Sequence, residues 1–99
     1  MSETSEIVGP AIKAISQLPN CFVLRLNTGK RGGVSYGRKG LPDILVIKSG
    51  VVAFIEAKAS AKSKLSKDQE LIKALIEYAG AKWFRANSYD EAMDFVKTI

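Results

Sequence analysis

The sequence predicts a single α/β domain whose elements follow the order α-β-β-β-α-β-α. Two apolar runs flank a Ser49-Gly50 pair, which is typical of a β-hairpin with a two-residue turn. Two Ser-x-x-Gln/Glu patterns, at 66–69 and 88–91, are typical of helix starts. The 99 residues show no internal repeat and no second composition zone, so one hydrophobic core is expected.

The first third of the chain predicts a helix, a strand and a loop. Apolar residues between Ile7 and Leu18 recur at helical spacing, and Pro10 fits only if the helix starts within a turn of it or kinks there. The run Cys21 to Leu26 predicts a strand. Asn27 to Gly40 contains five glycines and is predicted to be a loop.

The remaining elements follow from turn and capping signals. The residues from Ala59 to Lys64 are small and polar and predict a connector. The helix that begins after Ser66 is expected to stop at Gly80. The apolar segments are 43–48 and 51–58 for the hairpin, 82–86 for a further strand, and the stretch after Ser88 for the last helix.

Charge and composition narrow the function classes. Fifteen Lys and Arg against ten Asp and Glu give a net charge of +5, which favours a polyanionic partner, nucleic acid first and an anionic membrane surface second. The absence of histidine excludes histidine bases and triads within the chain and leaves carboxylates, lysine and hard metals for catalysis. The single Cys21 cannot form an intramolecular disulfide and indicates a reducing compartment.

The start of the chain has no basic region followed by an apolar run, as a signal peptide would. No apolar run approaches the roughly 20 residues of a membrane span. A cytoplasmic protein with no membrane partner is therefore expected.

The hairpin brings three charged residues together. If Ser49-Gly50 is a two-residue turn, Asp43 lies opposite Glu56, and strand alternation puts Lys58 on the same face. Two opposed carboxylates repel each other, and one lysine offsets only part of that repulsion. With oxygen ligands and no histidine, Mg²⁺ or Mn²⁺ is the expected ion.

A divalent metal beside a lysine is suited to phosphodiester hydrolysis, because both stabilise negative charge on a phosphate. The alternative is structural: Asp43 ends a turn after Pro42, while Glu56 and Lys58 form an ordinary surface pair at a strand end. Convergence of all three on one face between apolar neighbours favours the functional interpretation.

These residues also carry a resemblance. Gly40-Leu-Pro-Asp43 followed by Phe54-Ile-Glu56-Ala-Lys58 resembles the signature of the PD-(D/E)XK superfamily, and more narrowly that of the VRR-NUC nucleases. Further similarities are Glu6, the segment 25–29 and the segment 65–69. The resemblance implies a restriction-endonuclease-like fold, with a central mixed β-sheet flanked by helices.

The resemblance also implies roles for single residues. Asp43, Glu56 and the Ala57 carbonyl would bind the metal, and Lys58 would be the catalytic lysine. Glu6 would complete the metal site; the alternative is a favourable charge at a helix N-terminus. Gln69 would lie near the metal; the alternative is a role in the capping box of its own helix.

Two basic clusters are candidates for DNA contact. The glycine-rich loop lacks the GK[ST] ending of a phosphate-binding loop, so no nucleotide cofactor is expected. Its cations and aromatic ring suit a DNA backbone and a stacked base, although a solvated loop is the alternative. The loop residues are Lys30, Arg31, Tyr36, Arg38 and Lys39, and Lys62 and Lys64 form the second cluster.

The resemblance extends to stand-alone phage and bacterial nucleases and to Holliday junction resolvases, and it implies a homodimer that cleaves branched DNA. Other nuclease substrates, such as flaps, nicked duplex or RNA, stay open. If the protein is not an enzyme, the alternative is a non-catalytic basic DNA-binding module.

Overall fold

A computed structural model describes residues 4–26, 29–31, 34–36 and 39–99; the side chains of 4–5 and of the two short segments 29–31 and 34–36 lie outside the description. A π-helical segment, Thr4–Val8, leads into the first α-helix. The helices are α1 (Gly9–Ile15), α2 (Lys67–Tyr78) and α3 (Tyr89–Thr98). The strands are β1 (Cys21–Arg25), β2 (Gly29–Arg31), β3 (Val34–Tyr36), β4 (Ile44–Lys48), β5 (Val51–Ala57) and β6 (Lys82–Ala86).

The main sheet is mixed, as predicted. Its strand order is β1-β4-β5-β6, with antiparallel pairing of β1 with β4 and of β4 with β5. The last pair, β5 with β6, is parallel, and α2 forms the crossover that a parallel connection requires. The site-bearing hairpin therefore occupies the centre of the sheet.

The β4–β5 hairpin has the predicted register. Lys48 pairs with Val51, and the ladder runs unshifted to the pair of Ile44 with Ile55. Ser49 and Gly50 both have positive φ, 48° and 86°, as a type I′ turn requires. The ladder ends one residue short of Asp43 and Glu56, which the sequence placed opposite each other.

One face of the sheet carries the hydrophobic core. Residues of β4 and β5 that alternate along each strand, such as Val46 and Ile55, are fully buried against α1 and α3. Phe84 of β6 stacks on Phe95 of α3 with ring centroids 4.5 Å apart. The second face, which we call the site face, holds the intervening residues of the central strands: Leu45, Ile47, Val52, Phe54 and Glu56.

The site face is only partly covered. Phe22 and Leu24 of the edge strand β1 are 57% and 46% exposed. Helix α2 buries Ile72, but its residues Leu71 and Leu75 remain exposed. Trp83 lies under the ammonium group of Lys73 in α2, which is 4.8 Å from the ring centre. Of the two adjacent aromatic residues in β6, Phe84 therefore packs against the core and Trp83 is covered by α2.

One feature differs from the sequence expectations, and the position of Pro10 meets them. The segment predicted as a loop contains the separate two-stranded sheet β2–β3. Pro10 sits in the first turn of α1, where a missing N–H costs nothing, and a π-helical segment precedes it. Among the described helices, none has the length and apolar character needed to cross a bilayer.

Candidate active site

Glu56 is the buried carboxylate of the site face. It is the next-to-last residue of β5, between the core residues Ile55 and Ala57, and its side chain is only 6% exposed. One carboxylate oxygen, Oε2, accepts a hydrogen bond of 3.2 Å from Gln69 Nε2. Burying a carboxylate is unfavourable unless polar or cationic groups surround it, so this position is costly for a residue with a purely structural role.

Asp43 is held by two hydrogen bonds to β5 and one to the residue that follows β1. Its backbone N–H donates to Ile55 O at 3.0 Å, and its own carbonyl accepts from Leu26 N–H at 2.8 Å. The side-chain Oδ2 accepts from Ala57 N–H at 2.8 Å. Asp43 therefore reaches the Ala57 peptide, directly beside Glu56, rather than continuing the β-ladder.

Lys58 follows immediately after β5. Its backbone N–H donates to Ala86 O at 2.9 Å, and its carbonyl accepts from Asn87 Nδ2 at 3.0 Å. The side chain is 16% exposed, and Nζ lies 4.0 Å from Glu56 Oε2. This distance is an ion pair without a direct hydrogen bond.

Gln69 forms the predicted capping box and also contacts Glu56, while its place near a metal stays a prediction. Its Oε1 accepts from Ser66 N–H at 2.9 Å while Ser66 Oγ accepts from Gln69 N–H at 3.1 Å, which completes a capping box. Because the amide oxygen is used in the cap, the amide nitrogen faces Glu56 and donates to it. The start of α2 thus orients the buried carboxylate.

Gly40 brings the start of α2 close to the motif that contains Asp43. It has φ +91°, and a Cβ added there would lie 2.5 Å from the backbone carbon and oxygen of Asp68. Only glycine permits both this conformation and this approach. Lys39 forms an exposed ion pair with Asp68, at 3.5 Å, across the same contact.

The donor set fits a hard divalent cation. Asp43 and Glu56 supply two carboxylates, Lys58 compensates one of the two charges, and the carbonyl of Ala57 adds an oxygen at the same strand end. Oxygen donors of this kind are the ones that Mg²⁺ and Mn²⁺ select. Across the described residues, no three acidic or cysteine side chains come together.

Glu6 lies in the π-helical segment Thr4–Val8, which contacts β5. It is exposed in the π-helical segment and lines an open cleft of about 400 Å³ with Lys13, Gln17 and Tyr89. Its predicted role as a metal ligand stays a prediction.

The basic residues are described only in part. Lys62 and Lys64 are exposed in the connector after Lys58, and Lys39 is exposed beside α2. Lys30 and Arg31 belong to β2 and Tyr36 to β3, with side chains outside the description; Arg38 lies outside the described residues altogether. Lys62 and Lys64, the predicted second cluster, therefore lie in the connector that begins directly after Lys58.

Two polar residues near the site were not predicted from the sequence. Arg85 lies beside Glu56 in the β5–β6 register and donates from Nη2 to Ser60 O at 2.8 Å. Asn87 donates to the Lys58 carbonyl. Their proximity depends on the parallel pairing of β5 with β6, and the only local signal was the position of Asn87 next to a helix cap.

Comparisons with known proteins agree with this architecture. The model of the archaeal Holliday junction resolvase (Hjc) family matches residues 21–92, which include Asp43, Glu56, Lys58 and Gln69. A solved structure of a VRR_NUC domain superposes with a TM-score of 0.72 and 23% identity, over 98% of this chain and 97% of that chain. No curated protein sequence matches. The fold is thus that of a VRR-NUC domain, and the chain belongs to the archaeal Holliday junction resolvase family, a family of nucleases.

Proposed function

We propose that this protein is a Mg²⁺- or Mn²⁺-dependent endonuclease that hydrolyses phosphodiester bonds in DNA and prefers branched DNA such as the Holliday junction. The observation that carries this proposal is the meeting of Asp43, Glu56 and Lys58 at one strand end of the site face. Family membership supports nuclease activity. The choice of DNA branch and of metal is part of the proposal.

Asp43, Glu56 and the Ala57 carbonyl would hold the metal ion, with Glu6 as a further predicted ligand. When bound, the ion supplies Lewis-acid stabilisation of phosphate charge and a lower pKa for the attacking water. Lys58 presents an ammonium group beside Glu56, where it can stabilise charge that develops on the phosphate. Gln69 holds the Glu56 carboxylate in one orientation through its amide N–H.

We assign DNA contact to the basic clusters predicted from the sequence. Cations that neutralise phosphates release counterions and make binding salt-dependent. The net charge of +5 supports such binding, and the connector carries its cations just after Lys58. The proposed contacts are Lys30, Arg31, Tyr36, Arg38, Lys39, Lys62 and Lys64.

We also propose that the protein acts as a homodimer. Large apolar side chains are exposed on the site face and on α2, where a second copy would cover them. Two copies related by a twofold axis would present two sites to a symmetric branched substrate. The exposed residues are Phe22, Leu24, Val52, Leu71, Leu75 and Tyr78. The mass in solution tests this part.

The deciding experiment compares wild type with Asp43→Asn, Glu56→Gln and Lys58→Ala. Each protein is incubated with labelled four-way junction, linear duplex, single strand and RNA, in Mg²⁺, in Mn²⁺ and in EDTA. We expect paired cuts in the junction that need metal and are lost in all three variants. Thermal unfolding in EDTA checks that each variant is folded.

The other outcomes separate the alternatives. Binding without cleavage in every metal would mean a DNA-binding module, and it would leave salt-sensitive affinity intact in Glu56→Gln. Stronger cleavage of linear duplex, single strand or RNA would reassign the substrate. Full activity of Lys58→Ala would refute the proposed mechanism.

A further inference from the structure

The chain that leaves the site is fastened to the end of β6. The N–H of Lys58 donates to Ala86 O at 2.9 Å, and Asn87 Nδ2 donates to the Lys58 carbonyl at 3.0 Å. The next contact, from Arg85 Nη2 to Ser60 O, is 2.8 Å long. Both peptide groups of Lys58 are therefore tied to the neighbouring strand, although β5 itself has ended.

Asn87 is itself held in place by the first turn of α3. Its backbone N–H donates to Glu91 Oε1 at 2.7 Å, and Glu91 N–H donates to Ser88 Oγ at 3.1 Å. A capping box would direct the Glu91 carboxylate to Ser88 N–H, but here it reaches one residue further back. The start of α3 thus fixes the backbone from which the Asn87 amide extends.

We infer that Asn87 is a positioning residue for Lys58, with Glu91 as its support. This inference rests on the proposed role of Lys58 in cleavage. The Lys58 backbone sets the point from which four methylene groups carry the ammonium toward Glu56, so a shift of that backbone moves the region that the ammonium can occupy. After Lys58 the residues 59–64 are exposed, and the Asn87 amide is the last part-buried tie before them.

The chemistry of the amide makes the inference testable. A carbonyl oxygen only accepts, so Asn87 must direct its NH₂ group at Lys58. Asn87→Asp keeps the shape of the side chain, but an ionised carboxylate cannot donate and faces the Lys58 carbonyl unfavourably. Asn87→Ala removes the bond without adding charge. Both variants should therefore release the Lys58 backbone.

The matched control is Lys48→Met. Lys48 also makes a part-buried side-chain bond to a distant carbonyl, from Nζ to Val96 O at 2.8 Å. It lies at the opposite end of β4 from the site, beside the hairpin turn. Its loss should lower stability through the same kind of interaction without touching Lys58.

The experiment measures three quantities on each variant: single-turnover junction cleavage at saturating protein, junction affinity in EDTA, and hydrogen exchange of individual amides. For both Asn87 variants we expect cleavage to fall roughly ten- to hundredfold, as misplacement of a reacting group predicts. Affinity should stay within about twofold of wild type, and Lys58 N–H should exchange about tenfold faster. Lys48→Met should change neither the cleavage rate nor the Lys58 exchange.

Failure of this inference differs from failure of the proposed function. A wild-type protein that cuts no substrate would overturn the function, while the exchange of Lys58 N–H would still report on its anchoring. Unchanged exchange in Asn87→Ala would overturn the positioning role whatever the cleavage assay shows. Equal losses in Asn87→Ala and Lys48→Met would also overturn it, because general stability would then explain both.

Discussion

Helices α2 and α3 begin with the same sequence pattern but use it differently. At α2, Ser66 and Gln69 exchange both hydrogen bonds of a capping box, and the spare Gln69 N–H binds Glu56. At α3, Ser88 accepts from Glu91 N–H, but the Glu91 carboxylate binds Asn87 N–H. Each helix start is thus connected to a different member of the site.

The difference lies in the residue at the third helical position. A neutral glutamine can accept in the cap and donate to a carboxylate beyond it, which a glutamate cannot do. Glutamate is suitable at α3, where its target is a backbone N–H. The choice between Gln and Glu in a capping box therefore depends on the group that lies next to the helix, and substitutions at the two starts should have unequal effects.

The largest effect is expected from Gly40→Ala, which disturbs the start of α2 alone. The new Cβ would have to occupy a place 2.5 Å from Asp68 backbone atoms, and the residue would keep φ +91°. Overpacking and left-handed strain together predict a loss of about 2 to 4 kcal/mol in the free energy of unfolding. Chemical denaturation in EDTA measures it.

The control for this substitution is Gly50→Ala. Gly50 has a similar φ, +86°, but nothing lies within 4 Å of its added Cβ. Strain alone predicts a loss of about 1 kcal/mol. Equal losses in the two variants would mean that contact with Asp68 does not fix the start of α2.

A smaller effect is expected from Gln69→Glu. The new carboxylate can still accept from Ser66 N–H, but it replaces a donor to the buried Glu56 with a like charge. We expect the free energy of unfolding in EDTA to fall by about 1 to 3 kcal/mol. Because a divalent cation offsets carboxylate repulsion, Mg²⁺ should narrow the difference from wild type; an unchanged difference would count against a cation at this site.

The smallest effect is expected from the reverse exchange, Glu91→Gln. The amide oxygen can accept from Asn87 N–H as the carboxylate does, so the link to Lys58 is retained. Only the favourable charge at the helix start is lost, which is worth about 0.5 kcal/mol. Denaturation in the same buffer checks this value. A loss as large as that of Gln69→Glu would show that the two helix starts do not differ in this way.

Local patterns predicted most of the fold. Strand alternation and a two-residue Ser49-Gly50 turn defined the β4–β5 register, and the caps at Ser66 and Ser88 located two helix starts. The β2 and β3 strands escaped prediction because each has only three residues and glycines surround them, although Val34 and Tyr36 of β3 favour strands. The π-helical segment escaped because one extra residue per turn leaves no mark on composition.

The site residues likewise fall into those that local patterns predict and those that depend on packing between distant segments. Asp43, Glu56 and Lys58 lie within one hairpin, so their proximity follows from local geometry. Gln69 was visible as a cap, but its bond to Glu56 requires the packing of α2 beside β5. Asn87 depends on the parallel β5–β6 pairing across almost thirty residues, which no local pattern reports.

The Ser49-Gly50 turn places a constraint on how this chain can vary in length. Its side chains are exposed and Gly50 meets nothing nearby, so residue identity there is lightly restricted apart from the positive φ. Insertion or deletion of one residue should be tolerated less well than a substitution. It would shift one strand by one position against the other and turn its site-face residues toward the core. Relatives should therefore tolerate exchange of residues in this turn while keeping its two-residue length.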